Sequence, residues 1–364
     1  MSLTPRQNPL KILEIGEFCL FKRSMPKETT FVFTGSNPRR MADVEYTPFG
    51  PAVLPRILRS LKRGDWDIVF CFPPPRPLLD TRRVFSGLPS AVARALFHFR
   101  TLGTYLASSH YPTPLVVLDY NDMSTVPQSA LKLLDRSIVY FKRELPFDLA
   151  KALYDVAPRY RTHKRLISSS FFRRNVDKFR PISLGVPEET ARMALTARPE
   201  KSVDIFFAGS PNNSVIRQRG YAQLQVLAAA GCSVDISPGG LTKAEYLERC
   251  ARAWVTWSPE GYGWECFRHY EASLCLSVPI ISPPNICRYQ PLLDGVHAYI
   301  YPVEGNGLTE VLTRALANKS KLTKMAQDAC QHVLLHHTHD RICEHILEIA
   351  LSTLAPADAG NAAG

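Results

Sequence analysis

Apolar residues recur along this chain in two alternating registers. Short unbroken runs occur at Leu10-Lys-Ile-Leu-Glu-Ile-Gly16, Phe31-Val-Phe-Thr-Gly35, Asp67-Ile-Val-Phe-Cys-Phe72, Pro114-Leu-Val-Val-Leu-Asp-Tyr120 and Ser137-Ile-Val-Tyr-Phe-Lys142. They are too short for helices and rich in β-branched and aromatic residues, so they predict buried strands. Between them, Val53 to Leu61 and Pro89 to Leu106 have apolar positions three and four apart, the spacing of amphipathic helices. Pro181-Ile-Ser-Leu-Gly-Val-Pro187 and the polar residues through Glu200 interrupt the alternation and read as an interdomain linker. It then restarts with strands at Val203–Ser210, Cys232–Ile236, Trp254–Trp257, Val278–Ser282 and within 293–301. Helical spacing lies between these strands and again from Leu308 and Lys321. Strands alternating with helices predict two α/β domains, 1–190 and 191–354, followed by a flexible tail at 355–364.

One unit of the second domain carries recognisable chemistry. After the strand Trp254-Val-Thr-Trp257 comes Ser258-Pro-Glu-Gly-Tyr-Gly-Trp-Glu-Cys-Phe-Arg-His-Tyr-Glu271, a glycine loop opening into a helix with Phe267, Tyr270 and Leu274 on its apolar side. Glu260, Gly261, Tyr262 and Gly263 form the loop, and its glycines let backbone approach a ligand at the helix start, where free N–H groups favour an anion. Arg268 lies in the first turns of the helix, where a cation opposes the dipole unless something negative binds. Glu271 follows three residues later on the same side. An arginine for phosphate beside a carboxylate for hydroxyls points to a nucleotide-sugar site. The same two residues would also make an ordinary solvated ion pair.

This segment resembles the donor-site motif of GT-B glycosyltransferases, especially the exostosin-like and spore-maturation-protein-like groups. Their pattern is Gly-x-Gly, Arg, then Glu-Ala, a small residue and Val-Pro-Ile. The resemblance implies two facing Rossmann-like domains, with Arg268 on the donor diphosphate and Glu271 on the donor ribose or sugar. It also implies that the loop after Val203-Asp-Ile-Phe-Phe-Ala-Gly-Ser210 faces the phosphates, making Gly209, Ser210 and Arg217 further donor candidates. Two departures stand out. Leu276 and Ser277 occupy the place of the family's helix-ending glycine, and no pair of glutamates seven apart supports carrying over a retaining mechanism. The likeness covers the C-terminal half well and the N-terminal half weakly.

An inverting reaction would need a base from the first domain. Asp119, Asp122 and Glu17 are the carboxylates at expected strand ends, where open parallel sheets place ligands. Lys142, Arg143 and Glu144 are expected to leave the next strand at the same edge.

Charge divides unevenly between the two halves. Residues 1–182 hold 29 Lys and Arg against 15 Asp and Glu, and the rest hold 15 against 18. Residues 159–180 concentrate the basic side chains with Tyr160, Phe171, Phe172 and Phe179 interleaved. A solvated segment looks this way, and so does a surface for phosphate-rich partners. The GT-B resemblance implies that the first half binds the acceptor, so the expected acceptor is anionic: a lipid-linked saccharide or polysaccharide, less readily nucleic acid. A basic amphipathic helix at Pro89–Leu106 would permit peripheral membrane contact, although packing on the sheet is the simpler use.

Nine cysteines without a Cys-x-x-Cys pair argue for a reducing cytoplasm and against zinc or a disulfide framework. No run of eighteen apolar residues and no apolar leader core occur, so the expected location is cytoplasmic, up to the inner face of the membrane. His332, His336, His337, His339 and His345 lack completing acids or cysteines and read as surface histidines. No metal and no cofactor beyond the donor substrate are expected. The expected activity is metal-independent sugar transfer from a nucleotide diphosphate to an acceptor hydroxyl in cell-surface polysaccharide or glycolipid synthesis. A nucleic-acid-modifying transferase and a non-catalytic sugar-nucleotide-binding scaffold are the alternatives.

Overall fold

The computed structural model describes residues 9–35, 41–50, 52–73, 106, 109–156, 163–196 and 198–355. The predicted helix Pro89–Leu106, the proline run after Phe72, Arg159 to Arg161 of the basic segment, and the tail beyond Ala355 lie outside these residues except for Leu106 and Pro73.

By internal contacts the chain divides into two units. The first holds the chain to Asn121, Thr125–Arg180 and everything from Cys343; the second holds Asp122–Ser124 and Pro181–Ile342. The sequence reading drew the boundary at 190 and kept the last helix with the second unit.

In the first unit, β1 (Ile12–Gly16), β2 (Thr29–Phe33), β3 (Thr47–Pro48), β4 (Ile68–Cys71), β5 (Leu115–Asp119) and β6 (Val139–Lys142) pair in parallel. All five residues of β1 and all four of β4 are buried, the pattern of strands covered on both faces. A short antiparallel pair, β7 (Asp155–Val156) with β8 (His163–Lys164), lies apart, and β9 (Phe179–Pro181) completes a seven-stranded sheet ordered β3-β2-β1-β4-β5-β6-β9. The helices among its described residues are α1 (Phe21–Ser24), α2 (Val53–Arg63), α3 (Leu131–Arg136), α4 (Leu149–Tyr154) and α5 (Ser169–Asn175). The buried Glu14 carboxylate accepts from the N–H groups of Leu20, Phe21 and Lys22 at 2.7, 3.0 and 2.9 Å, tying β1 to the start of α1.

Several basic residues of the 159–180 segment are spent on local structure. Arg165 is buried and donates to the Val126 and Asp155 carbonyls at 2.8 and 3.0 Å. Lys164 pairs with Asp155, Arg174 with Asp135, and Lys178 donates to the Leu134 and Asp135 carbonyls.

The expected linker contains a helix, α6 (Glu188–Thr196). Its buried side is Thr190, Ala191 and Ala194, small residues that leave little apolar signal, and Glu188 and Glu189 suit its N-terminus. The second unit then builds a parallel sheet ordered β11-β10-β12-β13-β14 from β10 (Val203–Ala208), β11 (Val234–Ser237), β12 (Ala253–Ser258), β13 (Val278–Ile281) and β14 (Tyr299–Ile300). Its helices are α7 (Val215–Ala229), α8 (Lys243–Arg252), α9 (Phe267–Leu274), α10 (Gly307–Leu316) and α11 (Lys319–His336). A final helix, α12 (His339–Leu354), runs from the second unit into residues that group with the first.

Phe207, Trp257, Val255, Ile280 and Leu312 anchor the core of the second unit. Gly220 of α7 is needed there, because a Cβ would lie 2.1 Å from the Trp257 ring. Where the resembling family has glycine, Leu276 itself takes the left-handed conformation, φ 53°, and ends α9. This costs roughly 1–2 kcal/mol relative to ordinary backbone. Phe267, expected on the apolar side of α9, is 46% exposed.

Candidate functional site

The order β11-β10-β12-β13 changes direction between β10 and β12, and open parallel sheets bind ligands at the carboxyl edge of such a switch point. Gly209 follows β10, and the 259–266 loop follows β12. Gly209 has φ 146°, which only glycine adopts readily. A Cβ on it would lie 3.3 Å from Arg268 Nη1 and 3.5 Å from Arg217 Nη1. Two guanidinium groups, from α9 and α7, therefore flank one glycine.

Backbone oxygens hold both arginines. Arg217 is buried, and its Nε donates to the Glu260 carbonyl at 2.6 Å and its Nη1 to that of Ser210 at 3.3 Å. Arg268 donates to the Ala208 and Pro259 carbonyls at 3.1 and 3.3 Å, and its buried Nε has no partner among the described residues. Neither forms an ion pair within the described residues. Burial first, then the Arg268 charge, pulls Arg217 down to about 10. Two adjacent cations without a carboxylate are stabilised by a bound anion, and guanidinium forks match phosphate oxygens.

The loop between the strand and α9 closes this cradle. Gly261 N–H bonds the Gly263 carbonyl at 2.8 Å, and a Cβ on Gly261 would sit 3.3 Å from Arg217 Nη2. Glu260 N–H donates to Ser282 Oγ and the Trp264 indole to the Ser282 carbonyl, fastening the loop to the end of β13. Tyr262, at the loop tip, is 60% exposed. Ser210 spends its hydroxyl locally, accepting from Asn212 N–H at 3.2 Å.

Glu271 is 4% exposed and pairs with Lys243 of α8, not with Arg268. The sequence reading missed Lys243, because a contact between two helices leaves no mark in the spacing of either. It also missed a cluster of Ser258, Cys266 and His269 beside Arg268. Ser258 Oγ lies 2.8 Å from His269 Nδ1 and 3.3 Å from Cys266 Sγ, and Cys266 is the residue that caps α9. Burial works against the Cys266 thiolate, but the His269 and Arg268 charges outweigh it and hold the thiol well below its ordinary value.

The first unit revises the expectation for Asp119. Its place at the end of β5 is as read, but the carboxylate is fully buried and accepts from Lys142 Nζ (2.9 Å), Tyr140 (2.8 Å) and both nitrogens of Asn121 (3.1 and 2.8 Å). A carboxylate enclosed by four donors is structural. Lys142, Arg143 and Glu144, expected at an open edge, are buried too. Asp122 is exposed. Glu17 is half-buried after β1 and lines a small crevice with Phe18, Phe72, Tyr120 and Asn121.

The histidines expected at the surface are divided. His337 is fully buried between Ser183 Oγ and the Gln290 carbonyl, while His332 and His336 are half-buried. Among the described residues no group of three or more His, Cys, Asp or Glu is placed to hold a metal ion. No helix of the described residues is long and apolar enough to cross a membrane.

No family model matches the chain, and no curated protein does. Solved structures do. A glycosyltransferase from Rickettsia africae superposes with a TM-score of 0.58 at 10% identity, covering 96% of this chain and 100% of that one. HepE from Anabaena, solved with UDP, gives 0.55 at 12% identity, covering 94% and 100%. An α-glucosyltransferase solved with UDP and a 13-mer DNA gives 0.53 at 10% identity, also covering 94% and 100%. At these identities the likeness speaks for architecture. The chain has the GT-B glycosyltransferase fold.

Proposed function

We propose that the protein is a glycosyltransferase that moves a sugar from a uridine diphosphate donor to an acceptor hydroxyl. The observation that carries this reading is the convergence of Arg217 and Arg268 on Gly209 at the switch point, with no carboxylate among the described residues paired to either. Breaking the sugar–phosphate bond builds negative charge on the leaving diphosphate. Preorganised cations and a helix N-terminus stabilise that charge more than the ground state, which is what lowers the barrier. Arg217, Arg268 and the start of α9 supply these groups from the protein itself, so the reaction runs without a metal. Glu271, buried beside the cradle, takes the ribose hydroxyls. Uridine is the favoured base because two of the similar structures were solved with UDP. If the reaction inverts, Glu17 is the base we put forward.

The acceptor is anionic, a lipid-linked saccharide or polysaccharide, in keeping with the excess of basic residues in the first half of the chain. A nucleic acid acceptor is the second reading, favoured by the same excess and by the similar structure that contains DNA.

Thermal denaturation with UDP, GDP, ADP and CDP tests the donor, and UDP release from UDP-sugars in EDTA tests the chemistry. Stabilisation by UDP above the others and EDTA-resistant turnover are expected. A protein indifferent to all four nucleotides would sink the reading. Salt-sensitive retention on DNA separates the two acceptors.

A further inference from the structure

Lys243 occupies a position that helix electrostatics disfavours. It is the first residue of α8, directly after the Thr242 cap, where the positive end of the helix dipole repels a cation. The capping box formed by Thr242 and Glu245 satisfies the helix start without it. Its side chain lies near the face of Tyr246, 5.5 Å from the ring centre, and its ammonium donates to Glu271 Oε1 on α9. The lysine side chain is half exposed, whereas that of Glu271 is almost wholly buried. Glu271 Oε2 has no donor among the described residues.

We propose that Lys243 is a positioning residue of the nucleoside site: by holding Glu271 Oε1 it fixes how the buried carboxylate is turned, so that Oε2 is presented to the ribose. The N-terminus of α8 thereby becomes part of the donor site alongside α7 and α9. This rests on the reading of the second unit as a UDP-sugar site, and it adds a residue that nothing in the glycine loop or α9 announces.

The test is calorimetric titration of the full chain with UDP and with 2′,3′-dideoxyuridine diphosphate, in wild type, Lys243→Met and Lys243→Arg. In Lys243→Met, UDP binds about tenfold more weakly, the size of one hydrogen bond to a charged group. The dideoxy nucleotide, with no hydroxyl to lose, binds both proteins alike, and Lys243→Arg recovers UDP affinity. Equal weakening of both nucleotides would place Lys243 on the diphosphate and overturn the proposal, as would undiminished UDP affinity in Lys243→Met. Failure of the donor reading gives a different result: wild type binds neither nucleotide.

Discussion

Arg217 and Arg268 reach the same glycine from different helices, with Nη1 atoms 3.5 and 3.3 Å from where a Gly209 Cβ would stand. Each is held by carbonyl oxygens rather than carboxylates, so its charge remains available to a ligand. Arg268→Ala and Arg217→Ala should each weaken UDP binding by roughly 10–100-fold, the range of a charge-assisted hydrogen bond. Titration calorimetry on folded variants measures this. Unchanged affinity in both would remove the diphosphate from this position.

The two first-unit acids separate by what they do. Asp119→Asn removes the carboxylate that Lys142 Nζ meets at 2.9 Å, both side chains being 0% exposed. Breaking one partner of such a pair costs roughly 3–5 kcal/mol. Glu17→Gln should leave stability unchanged and lower kcat by about 100-fold or more if Glu17 is the base. Urea denaturation paired with turnover reads both. A stable Asp119→Asn enzyme without activity would reverse the assignment.

His337 sets an acid limit on stability. Burial drives its pKa from 6.5 down to about 3, against which its bond to the Gln290 carbonyl works only partly. Between these values the unfolded chain binds a proton that the folded chain refuses. Stability is fully present above about pH 6.5 and falls with decreasing pH, by about 1.4 kcal/mol per unit from this group. His336 and His297, also lowered by burial, add in the same direction. Denaturation midpoints from pH 4.5 to 7.5 should show this slope, and His337→Gln should flatten it.

Cys266 should be the thiol that reacts first. Their surroundings hold the thiols of Cys19, Cys71, Cys232, Cys275, Cys287 and Cys330 above the ordinary value, whereas that of Cys266 is lowered. Iodoacetamide at neutral pH, followed by peptide mass mapping, should label half-buried Cys266 ahead of the other eight, and UDP should slow that labelling. Labelling led by another cysteine, or indifferent to UDP, contradicts this.

The strands were readable because Ile12 to Ile15, Ile68 to Cys71 and Val278 to Ile281 are buried on both faces and so appear as unbroken apolar runs. Arg268 was readable because its oddity is local, a cation early in a helix behind a glycine loop. The direction in which Asp119 points was not, since only Lys142 and Tyr140 on the neighbouring strand turn it inward. Nor was the Glu271–Lys243 pair, whose members are 28 residues apart on separate helices. Leu276 shows the limit from another side: its conformation is one that sequence statistics assign to glycine, and only the completed turn enforces it.

The last helix has a consequence for the order of synthesis. Cys343, Ile346 and Ala350 are buried and group with the first unit, although the stretch Pro181–Ile342 of the second unit precedes them. The chain from Pro181 to Ile342 must therefore leave the ribosome before the first unit can close its core. At 5–20 residues per second that is a wait of roughly 8–30 s with apolar surface uncovered. A fragment ending near residue 190 lacks these three residues, so a cut at that boundary does not release the whole of the first unit.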